Sequence, residues 1–142
     1  MDREELKKIL PHREPMLLVD EADVTKEGGF EGRYTVKGDE FFLQGHFPGN
    51  PIVPGVILCE MMAQSAVVMF ADRTEDPDTL FVYTGINNVK FRKSVLPGDT
   101  VIFRGSLTRE KKPFYFIHGE AYVGDKKCME GDFSFAQTKK NA

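Results

Sequence analysis

The pattern of apolar and polar residues predicts one buried helix in a chain otherwise made of strands. The stretch Gly55–Ala71 is apolar at nearly every position, which is typical of a helix covered on most of its circumference. Glu60 and Gln64 interrupt this run, and their i,i+4 spacing places them on the same face. A sheet can cover one face of such a helix, so the remaining apolar surface predicts a second subunit.

Strand patterns lie on both sides of the predicted helix. Phe30–Lys37 alternates between apolar and polar residues, as a half-buried strand does, and Met16–Val24 is a second candidate strand. Short strands joined by tight turns indicate an antiparallel sheet. Four further strands follow the helix: Leu80–Phe91, Thr100–Thr108, Phe114–Val123 and Cys128–Gln137.

The remaining segments complete a fold prediction. Arg3–Leu10 predicts a short helix that stops before Pro11, Asp39–Pro54 predicts a long loop, and Asp72–Asp78 predicts a charged exit loop. Together the elements predict an α+β fold in which about six antiparallel strands wrap around one long central helix. The chain has 142 residues, so we expect a single domain covering 1–142.

Composition and charge narrow the range of functions. The net charge of −3 offers no overall basic surface for nucleic acid. The apolar helix is short for a membrane span, and the charged N-terminus lacks the apolar region of a signal peptide, so we expect a cytoplasmic protein without membrane contact. Cys59 and Cys128 are too few for a disulfide framework, and the three histidines lack ligand spacing, so we expect no metal and no cofactor.

The loop before the helix contains a candidate base. His46 is preceded by Gly45 and followed by prolines and glycines that restrict the backbone path. Imidazole titrates near neutral pH, so a histidine held in such a loop can act as a general base. The alternative is a histidine that only hydrogen-bonds within a turn.

The helix contains a candidate acid. An ionised, unpaired carboxylate is costly in an apolar helix, so burial predicts a raised pKa for Glu60 and a neutral carboxyl that can donate a proton. Gln64 can orient this carboxyl through an i,i+4 hydrogen bond. In the alternative interpretation, Glu60 points to solvent or pairs with a lysine.

The start of the helix is a candidate site for a polarised carbonyl oxygen. Gly55 lies where backbone N–H groups lack partners within the helix and where the helix dipole is positive. Because glycine has no side chain, a ligand can approach these groups closely and its developing negative charge would be stabilised. A glycine that serves only capping or packing is the alternative.

Seven short segments match one set of motifs in order over nearly the whole chain. They are Leu10–Arg13 (L-P-H-R), Met16–Asp20 (M-L-L-V-D), Gly45–Gly49 (G-H-F-P-G), Pro51–Gly55 (P-I-V-P-G), Glu60–Gln64 (E-M-M-A-Q), Phe91–Arg92 and Pro97–Asp99 (P-G-D). At this spacing the series resembles the (3R)-hydroxyacyl-[acyl-carrier-protein] dehydratases of bacterial type II fatty acid synthesis.

The resemblance implies a hotdog fold, in which an antiparallel sheet wraps around a central helix, and a dimer that assembles further, usually into a trimer of dimers. It implies that His46 of one subunit takes a proton from the substrate α-carbon, while Glu60 of the partner subunit protonates the departing β-hydroxyl. The N–H groups of Gly55 and Val56 would bind the thioester carbonyl, and Gln64 would orient Glu60.

The implied substrate is an acyl chain on an acidic carrier protein. We expect a cluster of basic residues to contact the carrier, with a solvated strand face as the alternative. The cluster is Lys90, Arg92 and Lys93. The acyl chain needs a dry tunnel, for which several apolar residues are candidates that fit a plain core equally well. These are Phe47, Met61, Met62 and Phe91.

Departures at two places qualify the resemblance. Members of the family commonly have an aromatic residue in place of Glu14 and Asp-Lys in place of Asn87-Asn88, and these departures bear on substrate access and carrier docking. His12 lies in the L-P-H-R segment and is expected to be a hydrogen-bonding anchor. We expect His118 to be an ordinary strand residue.

Three alternative functions stay open at the level of sequence. A sister family that also isomerises its product typically has aspartate at the acidic position, so Glu60 favours the plain dehydratase without excluding added trans-2/cis-3 isomerase activity. Hotdog proteins also include acyl thioesterases, and fold alone does not separate the two chemistries. A non-catalytic module that binds acyl carrier protein leaves the costly carboxyl in the helix unexplained.

Overall fold

The computed structural model describes residues 1–71 and 78–139. These residues form six strands and two α-helices, with two 3₁₀-helices at Phe41–Leu43 and Val67–Phe70. The α-helices are α1 (Arg3–Leu6) and α2 (Gly55–Ala66). The strands are β1 (Glu21–Val24), β2 (Phe30–Thr35), β3 (Thr79–Phe91), β4 (Thr100–Lys111), β5 (Phe114–Val123) and β6 (Lys126–Lys139).

All six strands belong to one antiparallel sheet with the order β1-β2-β4-β5-β6-β3. Helix α2 packs on this sheet, and its residues from Met61 to Ala66 are buried. The prediction of an α+β fold with a sheet around a central helix is therefore confirmed. Strands β1 and β3 form the two edges of the sheet in the described chain.

Glycines in the sheet allow α2 to approach the strands closely. A Cβ atom at Gly32 in β2 would lie 2.2 Å from Ser65 Oγ, and one at Gly119 in β5 would lie 2.6 Å from Met62 Sδ. Both distances are far shorter than van der Waals contact. A side chain at either position would force Ser65 or Met62 on α2 to move.

The helices end earlier than the apolar pattern predicts. Helix α2 begins at Gly55 as expected but gives way at Val67 to a 3₁₀-helix, the tighter turn that is frequent at the C-termini of α-helices. Helix α1 ends at Leu6 rather than Leu10. Its last residues continue as turns, because the N–H groups of Ile9 and Leu10 both donate to the Leu6 carbonyl.

The sheet extends further into polar sequence than predicted. Strand β4 continues to Lys111 and β6 begins at Lys126 because pairing runs up to the tight turns, with Lys111 opposite Phe114 and Val123 opposite Lys126. Residues near these hairpin tips are mostly exposed, so polar side chains are tolerated there. The alternation of buried and exposed residues ends before the hydrogen-bonded ladder does.

The predicted strand Met16–Val24 is only partly a strand. Pairing is confined to Glu21–Val24, although Leu17, Leu18 and Val19 are buried. Over Leu17–Val19, side chains rather than a neighbouring strand engage the backbone. Gln64 accepts the Leu18 N–H, and the Arg3 guanidinium donates to the carbonyls of Leu17 and Val19.

Of the predicted exit loop Asp72–Asp78, only Asp78 lies among the described residues. None of the helices in residues 1–71 and 78–139 has the length and apolarity that a membrane span requires.

Candidate active site

His46 and the start of α2 lie in one cleft of about 520 Å³, which we call the histidine cleft. The His46 Nδ1 atom lies 3.1 Å from the Ile52 carbonyl oxygen. Because a carbonyl only accepts hydrogen bonds, Nδ1 carries the proton and Nε2 presents a lone pair. The loop thus holds His46 in the tautomer that a general base needs. His46 both makes a hydrogen bond within the turn and lines the cleft.

The N-terminus of α2 presents free N–H groups to the histidine cleft. The N–H groups of Ile57 and Leu58 donate to the Pro54 carbonyl, at 3.0 and 3.2 Å, whereas those of Gly55 and Val56 have no acceptor among the described residues. No side chain caps this helix start. Two free N–H groups at the positive end of a helix form a site for a carbonyl oxygen that gains negative charge.

Phe91 closes one side of the helix start. A Cβ atom at Gly55 would lie 2.7 Å from the Phe91 ring, so Gly55 is the residue type that leaves room for this ring. Phe91 lines the histidine cleft and remains half exposed. Phe47 is also half exposed and stacks on the His46 imidazole with ring centroids 4.3 Å apart, after a cis peptide bond between the two residues.

Glu60 lies in a second cleft of about 290 Å³, which we call the glutamate cleft. Five positions along a helix correspond to a rotation of about 140° and a rise of about 7.5 Å, so Glu60 and Gly55 project from different sides of α2. His46 and Glu60 accordingly line different clefts of the chain. The glutamate cleft is lined by His12, Glu60, Ala63, Gln64, Val67, Phe81, Val82, Tyr83 and Phe135.

Gln64 holds the Glu60 carboxylate. Its Nε2 donates to Glu60 Oε2 at 3.0 Å and to the Met16 carbonyl at 2.8 Å, and its Oε1 accepts the Leu18 N–H at 2.8 Å. Gln64 is 1% exposed, so these bonds allow it a single orientation. The hydrogen bond predicted from the i,i+4 spacing is present, and the two backbone partners fix the amide.

His12 is a second partner of Glu60 that sequence reasoning did not identify. Its Nε2 lies 3.4 Å from Glu60 Oε2, and its buried Nδ1 has no hydrogen-bond partner among the described residues. The sequence indicated only an anchor within the L-P-H-R segment. No local pattern links two residues 48 positions apart, so only the folded chain reveals the contact.

The pKa of Glu60 is lowered, whereas the sequence predicted that it would be raised. Burial is the largest single influence and raises the pKa, as predicted, but the hydrogen bonds from His12 and Gln64 outweigh it. The net pKa of Glu60 lies below its ordinary value in this chain, where the side chain is 28% exposed. The prediction of a raised pKa is therefore corrected, because the two donors stabilise the carboxylate form.

The candidate tunnel residues divide into two groups. Met61 and Met62 are fully buried and line neither cleft, and Met62 abuts Gly119 in β5. They belong to the hydrophobic core, which is the alternative that the sequence left open for them. Phe91 lines the histidine cleft, whereas Phe47 contributes only its stacking on His46.

The basic cluster lies beside the histidine cleft. Arg92 and Lys93 line it, and Lys90 pairs across the sheet with Glu130. Arg92 Nε donates to Glu130 Oε1 at 3.1 Å, and this guanidinium together with Lys127 lowers the pKa of Glu130 to about 2. Glu130 therefore balances part of the Arg92 charge, while Lys93 is exposed at the cleft.

One group of potential metal ligands occurs elsewhere on the sheet. The ligand atoms of His118, Glu120 and Glu130 lie within 4.8 Å of one another. Lys127 forms ion pairs with both carboxylates, and His118 Nδ1 contacts Asp132 at 2.9 Å. Protein cations already satisfy these carboxylates, so the group is an ion-pair network on the sheet.

Comparisons with known proteins place these features in a family. The sequence model of the FabA-like domain matches residues 10–132. A 3-hydroxyacyl-[acyl-carrier-protein] dehydratase FabZ from Alkaliphilus metalliredigens is 40% identical, covering 96% of this chain and 94% of that protein.

Solved structures share the fold at lower identity. The dehydratase heterocomplex ApeI:P from Xenorhabdus doucetiae matches with a TM-score of 0.81 and 23% identity, over 95% of this chain and 91% of that one. The fluoroacetyl-CoA thioesterase FlK matches with a TM-score of 0.68 and 16% identity, over 78% of this chain and 85% of that one. These likenesses establish the hotdog fold, and the sequence matches establish that the chain belongs to the family of FabA-like 3-hydroxyacyl-[acyl-carrier-protein] dehydratases.

Proposed function

We propose that this protein converts (3R)-hydroxyacyl-[acyl-carrier-protein] to the trans-2-enoyl thioester and water, as a cytoplasmic enzyme of fatty acid biosynthesis. One observation supports the proposed mechanism most directly. His46 and Glu60 line two different clefts, and each has its own supporting groups. One cleft offers a base beside free N–H groups. The other offers an acid beside an apolar wall.

The proposed reaction is an elimination with one base and one acid. His46 Nε2 takes the α-proton, and the N–H groups of Gly55 and Val56 stabilise the enolate oxygen. The electron pair then forms the α,β double bond as the β-carbon–oxygen bond breaks. Glu60 donates its proton to the departing hydroxyl, which leaves as water, and the proton on His46 restores the acid through solvent.

We propose that each active site combines the histidine cleft of one subunit with the glutamate cleft of its partner. The α-carbon and β-oxygen of the substrate are adjacent, so the base and the acid must face each other closely. Edge strand β3 supports such a dimer, because Val82, Ile86 and Phe91 are exposed apolar residues on it. A free strand edge with apolar side chains is a template for pairing with another copy. Further assembly into a trimer of dimers is part of the same proposal.

The acid role requires Glu60 to carry a proton during turnover. Burial already exerts the largest influence on its pKa and favours the neutral form. A second subunit and a bound acyl chain would exclude more water from the glutamate cleft and so raise the pKa from its lowered value. The pKa of Glu60 is thus lowered in the single chain, and assembly would shift this carboxyl toward its protonated form.

Activity of single variants tests this assignment. We expect purified protein to interconvert 3-hydroxyacyl and trans-2-enoyl carrier thioesters, and His46→Ala and Glu60→Gln each to lose at least about 100-fold in kcat with assembly unchanged. The measurement is enoyl absorbance together with release of free thiol. Near-normal turnover in either variant would refute the assignment, and thiol release without enoyl product would indicate a thioesterase.

We propose that Lys90, Arg92 and Lys93 contact the acidic carrier protein, with Lys93 contributing most because Glu130 engages Arg92. Lys93→Glu should raise the KM for a carrier-bound substrate by about 10-fold at low salt, and leave the KM for the matching pantetheine thioester nearly unchanged. Lys112→Glu, in the turn that follows β4, is the charge-matched control. Equal effects of Lys93→Glu on both substrates would contradict a carrier contact.

A further inference from the structure

The loop that contains the candidate base is anchored at both ends to the segment before β4. At the start of the loop, the Val36 N–H donates to the Asp99 carbonyl at 2.9 Å. At its end, the Val53 N–H donates to the Val95 carbonyl at 2.9 Å. Between these two bonds, the path of the chain depends on the contacts that residues 37–52 make.

A glutamate side chain closes the first turn of this loop. Glu40 Oε2 accepts the Tyr34 hydroxyl at 2.8 Å and the Lys37 N–H at 2.9 Å, and Glu40 Oε1 accepts the Gly38 N–H at 2.8 Å. Tyr34 belongs to β2 and is 4% exposed, so these bonds tie the loop to the sheet. We call Tyr34, Lys37, Gly38 and Glu40 the carboxylate clasp.

The carboxylate clasp requires an ionised carboxyl group. Burial raises the pKa of Glu40, but the N–H groups of Lys37 and Gly38 and the Tyr34 hydroxyl outweigh burial, so the pKa lies below its ordinary value. A carboxylate accepts hydrogen bonds through both oxygens, whereas an amide of the same size accepts through one. Glu40→Gln would therefore leave one of the two backbone N–H groups without its acceptor.

Backbone hydrogen bonds connect the carboxylate clasp to His46. Glu40 directly precedes the 3₁₀-helix Phe41–Leu43, and its carbonyl accepts the Leu43 N–H at 3.1 Å. The Leu43 carbonyl in turn accepts the His46 N–H at 3.2 Å. A displacement of Glu40 would therefore reach the backbone of His46 through two consecutive hydrogen bonds.

We infer that Glu40 is a positioning residue for His46, an inference that rests on the proposed dehydratase function. Glu40 lines neither cleft, so it acts through His46 and not on the substrate. The Ile52 carbonyl fixes the tautomer of the imidazole, and the carboxylate clasp fixes the backbone from which the imidazole projects. Such placement matters because a shift of about 1 Å can lower the rate of a reaction by about 100-fold.

Steady-state kinetics of Glu40→Ala tests this role. The histidine cleft should still bind the carrier thioester, so we expect kcat to fall by at least about 10-fold while KM changes by less than about 2-fold. Glu40→Gln keeps the size of the side chain and should lower kcat by a smaller factor. Thermal melting checks that each variant folds, and Glu40→Gln replaces Glu40→Ala if the latter does not.

The matched control is another glutamate on the strand that precedes the loop. Glu31 lies in β2, and its Oε2 accepts a hydrogen bond from Arg104 Nε at 2.9 Å on the sheet. Glu31→Ala removes an ion pair of the sheet and leaves the carboxylate clasp in place. We expect its kcat to equal that of the wild-type protein.

Reassembled mixtures assign the effect of Glu40 to one half of the active site. In the proposed dimer, a hybrid of Glu40→Ala and Glu60→Gln chains combines one intact histidine cleft with one intact Glu60. Activity in this mixture should recover to about one quarter of the wild-type level. A hybrid of Glu40→Ala and His46→Ala chains has no intact histidine cleft, so that mixture should stay at or below the activity of Glu40→Ala alone.

Three results would overturn the role of Glu40 alone. They are an unchanged kcat in Glu40→Ala, an equal loss of kcat in Glu31→Ala, and recovery with His46→Ala in place of Glu60→Gln. Failure of Glu40→Ala to complement Glu60→Gln, when His46→Ala does complement it, would also overturn this role. Absence of dehydration by the wild-type protein would instead refute the dehydratase function.

Discussion

Gln64 restrains Glu60 because its carbonyl oxygen and both amide hydrogens are engaged inside the chain. The i,i+4 spacing predicted the bond between the two side chains, since helical geometry is local. The contact of His12 with Glu60 was not predictable, because it depends on how the segment before β1 lies over α2. The pKa of Glu60 was mispredicted for the same reason: burial raises it most, but the His12 donor together with Gln64 outweighs burial.

His12 is expected to control the proton affinity of Glu60. Removing its Nε2–H with His12→Ala should raise the pKa of Glu60, because burial then meets less opposition. The protonated fraction at neutral pH increases, so the alkaline limb of the kcat/KM profile should move to higher pH. His118→Ala, which removes a histidine paired with Asp132 on the sheet, is the control and should leave the profile unchanged.

The free energy of unfolding should also depend on pH through the lowered pKa of Glu60. The lowered pKa of Glu60 means that its pairing stabilises the fold above the ordinary pKa of glutamate, and that this contribution is lost as pH falls through the lowered folded value. Loss of stability in acid should therefore be smaller in His12→Ala than in the wild type, measured by urea unfolding. An unchanged profile and an unchanged acid dependence would contradict the role of His12.

At the scale of elements, the helix and the sheet were predictable because apolar periodicity reports which faces are buried. Helix α2 began at the expected glycine, and all six strands occurred in the expected order. The ends of β4 and β6 were not predictable, since hydrogen-bonded pairing continues through exposed polar residues near the hairpin tips. The 3₁₀ geometry of Val67–Phe70 was not predictable either, because its four residues are apolar and buried like those of the preceding helix.

Two glycines in contact with α2 should respond differently to the same substitution. Gly32→Ala places a Cβ atom against Ser65 in the packed core, so we expect a loss of about 1–3 kcal/mol in the free energy of unfolding. Gly55→Ala meets only the half-exposed Phe91 ring, which can move, so stability should change by less than about 1 kcal/mol.

Activity separates the two roles of these glycines. Gly55→Ala crowds the N–H groups at the helix start and should lower kcat by at least about 10-fold, while folded Gly32→Ala should keep a larger share of wild-type activity. Urea unfolding and the dehydration assay measure the two effects. A Gly55→Ala protein with full activity would contradict the proposed carbonyl site.

At the scale of the whole molecule, the chain presents two half-sites on different sides of one helix. The sequence places His46 and Glu60 fourteen positions apart, which suggests a shared local site, but the fold directs them into separate clefts. The two clefts hold different groups: the base, free N–H groups and basic residues in one, and the acid with Gln64 in the other. A dimer formed through β3 would complete two equivalent sites.

Complementation between inactive subunits tests this account most directly. His46→Ala and Glu60→Gln proteins are mixed in equal amounts, dissociated and reassembled, and dehydration is measured. Half of the dimers are then hybrids, and each hybrid holds one intact site, so we predict recovery of about one quarter of wild-type activity. If His46 and Glu60 work within one chain, no mixed dimer contains an intact site, and activity that stays at the level of the single variants would contradict the account.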